Sequence, residues 1–221
     1  MLDTGTPVVL VLITGRPYAV GWALERCAAV VQSFFPGEEG GTAIARVLSG
    51  VVAPSGHMPI SMPRSAVSAP YSYLHPKLGG PGTVTNLDTT PPVAFGHGLT
   101  YTSFERSGLS VADEVPTDGV VTARVRVTNT GEREGTDVVQ LYAHDPVASV
   151  TRPVAQLVAY ARVTVEPGAS AEVTFEVPTS RVAFSDRDMV KVVAASIQPA
   201  SSCGRPTALR IRSSSTCEWR C

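Results

Sequence analysis

Phe34-Phe35-Pro36-Gly37-Glu38-Glu39-Gly40-Gly41-Thr42-Ala43-Ile44-Ala45-Arg46-Val47-Leu48-Ser49-Gly50 decides how the first half of this chain is read. An apolar run ends at Phe35, and Pro36-Gly37 punctuates it as a tight turn. Ile44, Val47 and Leu48 then fall three and four residues apart, on one face of a short helix. Glu38 and Glu39 are expected in the first turn of that helix, where unpaired N–H groups favour negative charge. Gly50 closes it with the backbone freedom a helix C-terminus needs. A strand, a turn and a helix of this kind require a sheet to lie on.

That sheet is legible upstream. Residues 7–15, Pro-Val-Val-Leu-Val-Leu-Ile-Thr-Gly, form a near-continuous apolar run ending in glycine. Such a run fits a strand buried on both faces of a parallel sheet. Tyr18 to Trp22 reads as a short second strand, and Leu24 to Phe35 as a further buried strand leading into the opening stretch. Alternating β and α elements predict an α/β layer. Downstream, the prolines of Pro54-Ser55-Gly56-His57-Met58-Pro59-Ile60-Ser61-Met62-Pro63 confine that segment to an edge or an extended crossing.

Residues 65–94, rich in Ser, Pro, Gly and Tyr, read as a linker. Beyond it the period changes to two. Val121 to Val127, Asp137 to Ala143, Gln156 to Val165 and Ala171 to Val177 are predicted strands, separated by Gly- and Pro-bearing turns such as Asn129-Thr130-Gly131 and Glu166-Pro167-Gly168. Short alternating strands in series predict a β-sandwich, with Tyr142, Tyr160 and Phe175 in its core. Residues 196–206 show no alternation, so closing strands are not expected there and the tail is expected to pack loosely.

Composition bounds the function. The 221 residues carry 18 Lys and Arg against 19 Asp and Glu, a formal net charge of -1, which gives no electrostatic case for nucleic acid or an anionic membrane. The longest apolar run, Val8 to Ile13, is far too short to span a bilayer, and no signal peptide is visible. Cys27 stands in an apolar context as a buried thiol, while Cys203, Cys217 and Cys221 cluster near the end without metal-ligand spacing.

Candidate chemistry is sparse. Glu38 and Glu39 are adjacent, so they cannot face each other as an acid/base couple, and helix-start charge explains them. Gly37, Gly40 and Gly41 lack the Lys-Ser/Thr of a phosphate loop and the glycine spacing of a dinucleotide site. His57, His75, His97 and His144 are scattered, with none in a metal-binding spacing; His97, between two glycines, reads as a turn residue. No Gly-x-Ser-x-Gly elbow precedes a helix. No catalytic, substrate-binding, cofactor or metal residue is assigned. The residues alone give two domains and no active site.

Taken together, several segments resemble glycoside hydrolase family 3: Val8 to Pro17 ending in Gly-Arg-Pro, Phe35 to Gly50, Pro54 to Pro63, Phe95-Gly-His-Gly-Leu-Thr-Tyr-Thr-Ser-Phe104, Val127 to Gly131, Val139-Gln-Leu-Tyr142, Arg152-Pro153 and Glu166 to Gly168. They run in the family's order over residues 7 to about 190. The resemblance implies the C-terminal part of an α/β sandwich domain at 1–64, the linker, and a fibronectin type III-like (immunoglobulin-like) all-β sandwich at 95–193. It implies a retaining, exo-acting β-glucosidase or β-xylosidase acting on a β-linked oligosaccharide or glycoside, without cofactor. Its nucleophile and acid/base carboxylates would both fall before Met1, so the isolated chain is expected to be inactive. The alternative is a non-catalytic carbohydrate- or protein-binding sandwich module. A further alternative is association with a separately encoded barrel domain; no nucleic acid and no membrane partner is expected. Residues 194–221 depart from the family as an atypical tail, expected from a frame change near Val192–Val193.

Overall fold

The computed structural model describes residues 2–65, 72–76, 88, 90–112, 114–145, 148–193 and 210–213. Two compact units emerge, one of residues 1–73 with 80–99 and one of residues 74–79 with 100–221.

In the first unit β1 (Val9–Leu12) pairs in parallel with β2 (Ala29–Gln32), in the register Val9 to Ala29 through Leu12 to Gln32. Helix α1 (Gly21–Arg26) connects them, and α2 (Gly40–Leu48) follows β2. The strand expected at Tyr18 to Trp22 is instead a turn running into α1. Ala23, Leu24, Glu25 and Arg26 are strong helix formers, and the β-branched run begins only at Val30. The strand expected from Leu24 to Phe35 is correspondingly short.

Helix α2 begins one step later than its charge pattern implied. Glu39 is the N-cap residue, its carbonyl accepting the first helical bond from the Ala43 N–H at 2.9 Å, and neither glutamate lies in the first turn. Gly50 takes the left-handed conformation, φ 76°, just past the helix end, where a side chain would be strained. The segment after α2 is an extended crossing, as its prolines require. Met58 N–H donates to His97 O at 2.7 Å, Gly96 N–H to Met58 O at 2.8 Å and Met62 N–H to Val93 O at 2.8 Å. Tyr73 stacks on Phe95 with ring centres 3.9 Å apart.

Among the described residues the second unit is β apart from one short 3-10 turn at Thr179–Val182. β3 (Phe104–Val111), β4 (Val120–Asn129) and β7 (Ser170–Pro178) form one antiparallel sheet in the order β3-β4-β7. β5 (Gly135–His144) and β6 (Gln156–Val165) form another, with β10 (Arg210–Ser213) on the far side of β5. β8 (Phe184–Ser185) and β9 (Lys191–Val192) make a short hairpin between them in sequence.

Alternation places Val121, Ala123, Val125 and Val127 of β4 and Val173, Phe175 and Val177 of β7 in one core with Val139 and Leu141 of β5 and Val158 and Val165 of β6. Strand period two turns every second side chain inward, and the β-branched residues suit a pleated, covered surface. Two expectations fail here. Tyr160 is 69% exposed on the outward face of β6, and Tyr142 is only half-buried, its hydroxyl donating to Gln140 Oε1 at 3.0 Å. The tail does contribute a strand: Arg210 pairs with His144 and Ser213 with Leu141, at the point where polar and apolar residues again alternate. The remainder of 194–221 lies outside the described residues, and with it the expected frame change. Among the described residues no helix is long and apolar enough to cross a membrane.

Candidate functional site

Glu38 and Glu39 stand exposed on the approach to α2, and neither caps the helix through its side chain. His97 is exposed and serves the crossing through its backbone, while His75 sits by Pro76 with Nδ1 2.9 Å from that residue's carbonyl. His57 is half-buried against Gly98: a Cβ at Gly98 would lie 2.5 Å from Gly56 O and 2.7 Å from His57 Cδ2, so only glycine lets the two segments cross. His144 ends β5 with a buried Nδ1. The structure brings none of the four histidines into a metal-binding cluster, and among the described residues no group of three His, Cys, Asp or Glu side chains could hold a metal. Cys27 is a free, half-buried thiol.

A direct carboxyl pair does exist, and sequence reading missed it. Glu134, in the turn before β5, and Glu166, in the turn after β6, share a side-chain hydrogen bond. That bond, and then the like charge, hold the Glu166 carboxyl above its ordinary range. The two residues are far apart in sequence, and only the β5–β6 pairing brings their turns together. Both stand exposed in solvent.

A small cleft lies elsewhere in the sandwich unit, lined by Ala143, Asp145, Arg152, Pro153, Gln156 and Val182, with room for about 10 Å³. That holds one water and is far below the hundreds of cubic ångströms of a ligand pocket. Its arginine is structural. Arg152 Nη2 donates to Gln156 Oε1 at 3.4 Å and to Val182 O at 3.3 Å, and the guanidinium lies 4.8 Å over the Phe184 ring. Gln156 Nε2 reaches Arg181 O at 3.1 Å. The Arg152-Pro153 landmark therefore fastens the segment before β6 to the turn that leads into β8.

Among the described residues these constellations buttress a fold without assembling an acid/base or nucleophile site, so kinship carries the functional argument. The model of the glycosyl hydrolase family 3 C-terminal domain matches residues 1–101, and that of the fibronectin type III-like domain matches residues 137–200. The chain belongs to glycosyl hydrolase family 3. It is 41% identical over 197 residues to a periplasmic β-glucosidase of Salmonella typhimurium, an alignment covering 84% of this chain and 26% of that protein. It is 36% identical over 195 residues to a β-xylosidase of Formosa agariphila, covering 86% and 27% respectively. Among solved structures, the family 3 chain is similar to a Listeria innocua β-glucosidase in complex with gluconolactone, with TM-score 0.80, 31% identity, and coverage of 87% of this chain and 28% of the other. The chain thus spans about a quarter of the length of the curated relatives it matches.

Proposed function

We propose that this chain supplies the C-terminal portion of a retaining, exo-acting β-glycosidase that hydrolyses β-glucosides or β-xylosides, and that the isolated 221-residue chain turns neither over. The observation that carries the reading is the 41% identity to a periplasmic β-glucosidase over 84% of this chain but only 26% of the relative. The relatives' names supply the substrate class, and the gluconolactone held by the Listeria innocua enzyme agrees with it.

Retaining hydrolysis needs two carboxyls about 5–5.5 Å apart across the scissile bond, one as nucleophile and one as acid/base. Glu38 and Glu39 stand exposed ahead of α2, and Glu134 and Glu166 bond to each other on exposed turns. Hydrogen-bonded carboxyls such as Glu134 and Glu166 leave no room for a glycosidic bond between them. On this reading residues 1–64 complete an α/β domain, 65–94 link it onward, and 95–193 form the fibronectin type III-like domain, beside a barrel carried by the rest of the enzyme or by a separate polypeptide.

The test is release of nitrophenol from aryl β-glucosides and β-xylosides by the purified chain. None is expected, and measurable turnover sinks the proposal.

The exposed Tyr160 favours a second reading, a carbohydrate-binding sandwich face. Tyr160 pairs across with Gln140, whose buried amide Tyr142 hydrogen-bonds, so the exposed ring is the group this face offers. Retention on insoluble β-glucan that disappears in Tyr160→Ala would support it; no retention of the wild-type chain rejects it.

A further inference from the structure

We propose that the exposed Phe35 ring is a stacking platform for one pyranose ring of a β-linked oligosaccharide, presented at the carboxyl end of the β1–β2 sheet. The choice of sugar rests on the reading of the chain as part of a β-glycosidase; the platform rests on its own geometry. A chain expected to turn over no glycoside is thereby given one to hold.

β1 and β2 run parallel, with Leu12 opposite Gln32. The same register, carried three residues past the strand ends, sets Phe35 opposite Gly15. Ser33 keeps it, its N–H and its hydroxyl both donating to Leu12 O at 3.0 Å. The carboxyl ends of parallel strands are where open α/β sheets take their ligands.

The surrounding chain is constrained so as to show this ring. Phe34 takes a left-handed backbone, φ 54°, which a phenylalanine adopts only at a cost. The Phe35 ring then comes down on Gly15, where a Cβ would lie 3.0 Å from its Cε2 and 3.1 Å from its Cζ. Pro36 packs so closely on Gly40 that no Cβ fits between them, which fixes the chain beyond the ring. The facing turn is held as well. Thr14 Oγ1 donates to Arg16 O at 2.7 Å, and Gln32 Nε2 donates to Thr14 Oγ1 at 3.0 Å. This strain and fastening leave Phe35 78% exposed. Strain kept around an exposed side chain points to a ligand rather than to packing.

The occupant follows from what surrounds the ring. Arg16 directly follows Gly15 and is exposed, its guanidinium 5.5 Å over the half-exposed Tyr18 ring. Glu38 and Glu39 stand exposed just beyond Pro36-Gly37. A flat apolar ring with charged and hydroxyl-bearing neighbours suits a pyranose, which offers C–H faces and a rim of hydroxyls. An apolar polypeptide segment would leave those neighbouring charges unmatched. Such a segment, from another protein or a second copy of this chain, is the competing occupant.

The test is a titration of the full 221-residue chain with cellotriose and with xylotriose, followed by amide NMR. The Gly15, Arg16 and Phe35 amides should shift and saturate with at least one of the two sugars. Phe35→Leu, which keeps apolar bulk but loses the flat ring, should weaken binding roughly tenfold or more, whereas Phe35→Trp should not. Gly15→Ala, which displaces the ring without removing it, should weaken binding in the same direction. Because Phe35 lies in solvent, the remaining amide spectrum of Phe35→Leu should match wild type, and Tyr160→Ala should bind as wild type does.

Shifts that persist in Phe35→Leu, or that vanish only in Tyr160→Ala, place the sugar on another surface and overturn the proposal. A titration that moves none of these amides overturns it too. So do Gly15 and Phe35 shifts that grow with protein concentration in the absence of sugar, which assign the ring to a second copy. No catalysis is read here, so a negative titration counts against the platform alone, while the enzyme reading stands or falls on nitrophenol release.

Discussion

Arg106 on β3 grips Asp137 on β5 with two hydrogen bonds, Nε to Oδ2 at 2.9 Å and Nη2 to Oδ1 at 2.6 Å. The residues belong to different sheets, so this forked ion pair fastens one sheet of the sandwich to the other. The two side chains are 12% and 4% exposed, dry enough for the pair to matter. Asp137→Ala would strand the guanidinium beside the core and should cost about 3–5 kcal/mol in urea denaturation of the chain. Replacing both residues by apolar side chains, as in Arg106→Met with Asp137→Leu, should recover most of that loss, because neither charge is then left buried alone.

Asn129 is a second fastening, fully buried at the end of β4. Its Oδ1 accepts from Thr102 Oγ1 at 2.6 Å and from the Gly131 N–H at 3.0 Å. Its Nδ2 donates to Arg133 O at 2.7 Å and to Val165 O at 2.8 Å. Asn129→Ala should destabilise the sandwich by about 3 kcal/mol or more, since the abandoned backbone groups lose their partner without regaining water. Thr102→Val removes one of the four bonds and should cost about 1 kcal/mol. Thermal unfolding of the two variants, compared with wild type, checks the ranking.

The core itself answers to volume. Leu141 is fully buried between the sheets, and Leu141→Ala should cost about 2–5 kcal/mol, read as a lower urea midpoint with an unchanged slope.

Glu166 makes stability depend on pH in a definite sense. Its carboxyl is held above the ordinary range by the bond to Glu134, so the folded state takes up a proton more readily than the unfolded one. The contribution is present in full below the ordinary carboxylate range and fades as pH rises through the raised value. Glu166→Gln should flatten that dependence and stabilise the chain slightly near neutral pH, by removing the repulsion between the two turns. Both groups are in solvent, so added salt should mute the difference.

In the first unit, Gly98→Ala should loosen the crossing of residues 56–58 with residues 96–98, because the new methyl would strike Gly56 O and His57. Limited proteolysis should then cut this region at lower protease concentration than in wild type, with the β4–β7 sheet unaffected.

Local patterns were enough to announce much of this chain. The alternation of Val121 to Val127 and Ala171 to Val177 marks strands whatever they pair with, because period two is a property of the backbone itself. The α2 face and the extended run from Pro54 are likewise set within a few residues, while the turn expected at Pro36-Gly37 falls one step on, closed by the Gly40 N–H on Gly37 O. Where local signals competed, sequence reading slipped. Trp22 and Leu24 looked like strand residues, but helix-forming neighbours carried them into α1. Tyr160, read as core for its aromatic bulk, follows the alternation that runs from Ala159 to Val165 out into solvent.

The family was legible in linear motifs, because landmarks such as Phe95 to Phe104 are carried by residue order alone. What those landmarks do was decided in three dimensions. Arg106 and Asp137 are 31 residues apart, and Asn129 and Val165 are 36 apart. Nothing in residue order states that sheet pairing will bring them together, or that Glu134 will meet Glu166. The pairing of β1 belongs to the same class: the sequence of Val9 to Leu12 demanded a covered strand, and only the tertiary structure showed which strand pairs with it.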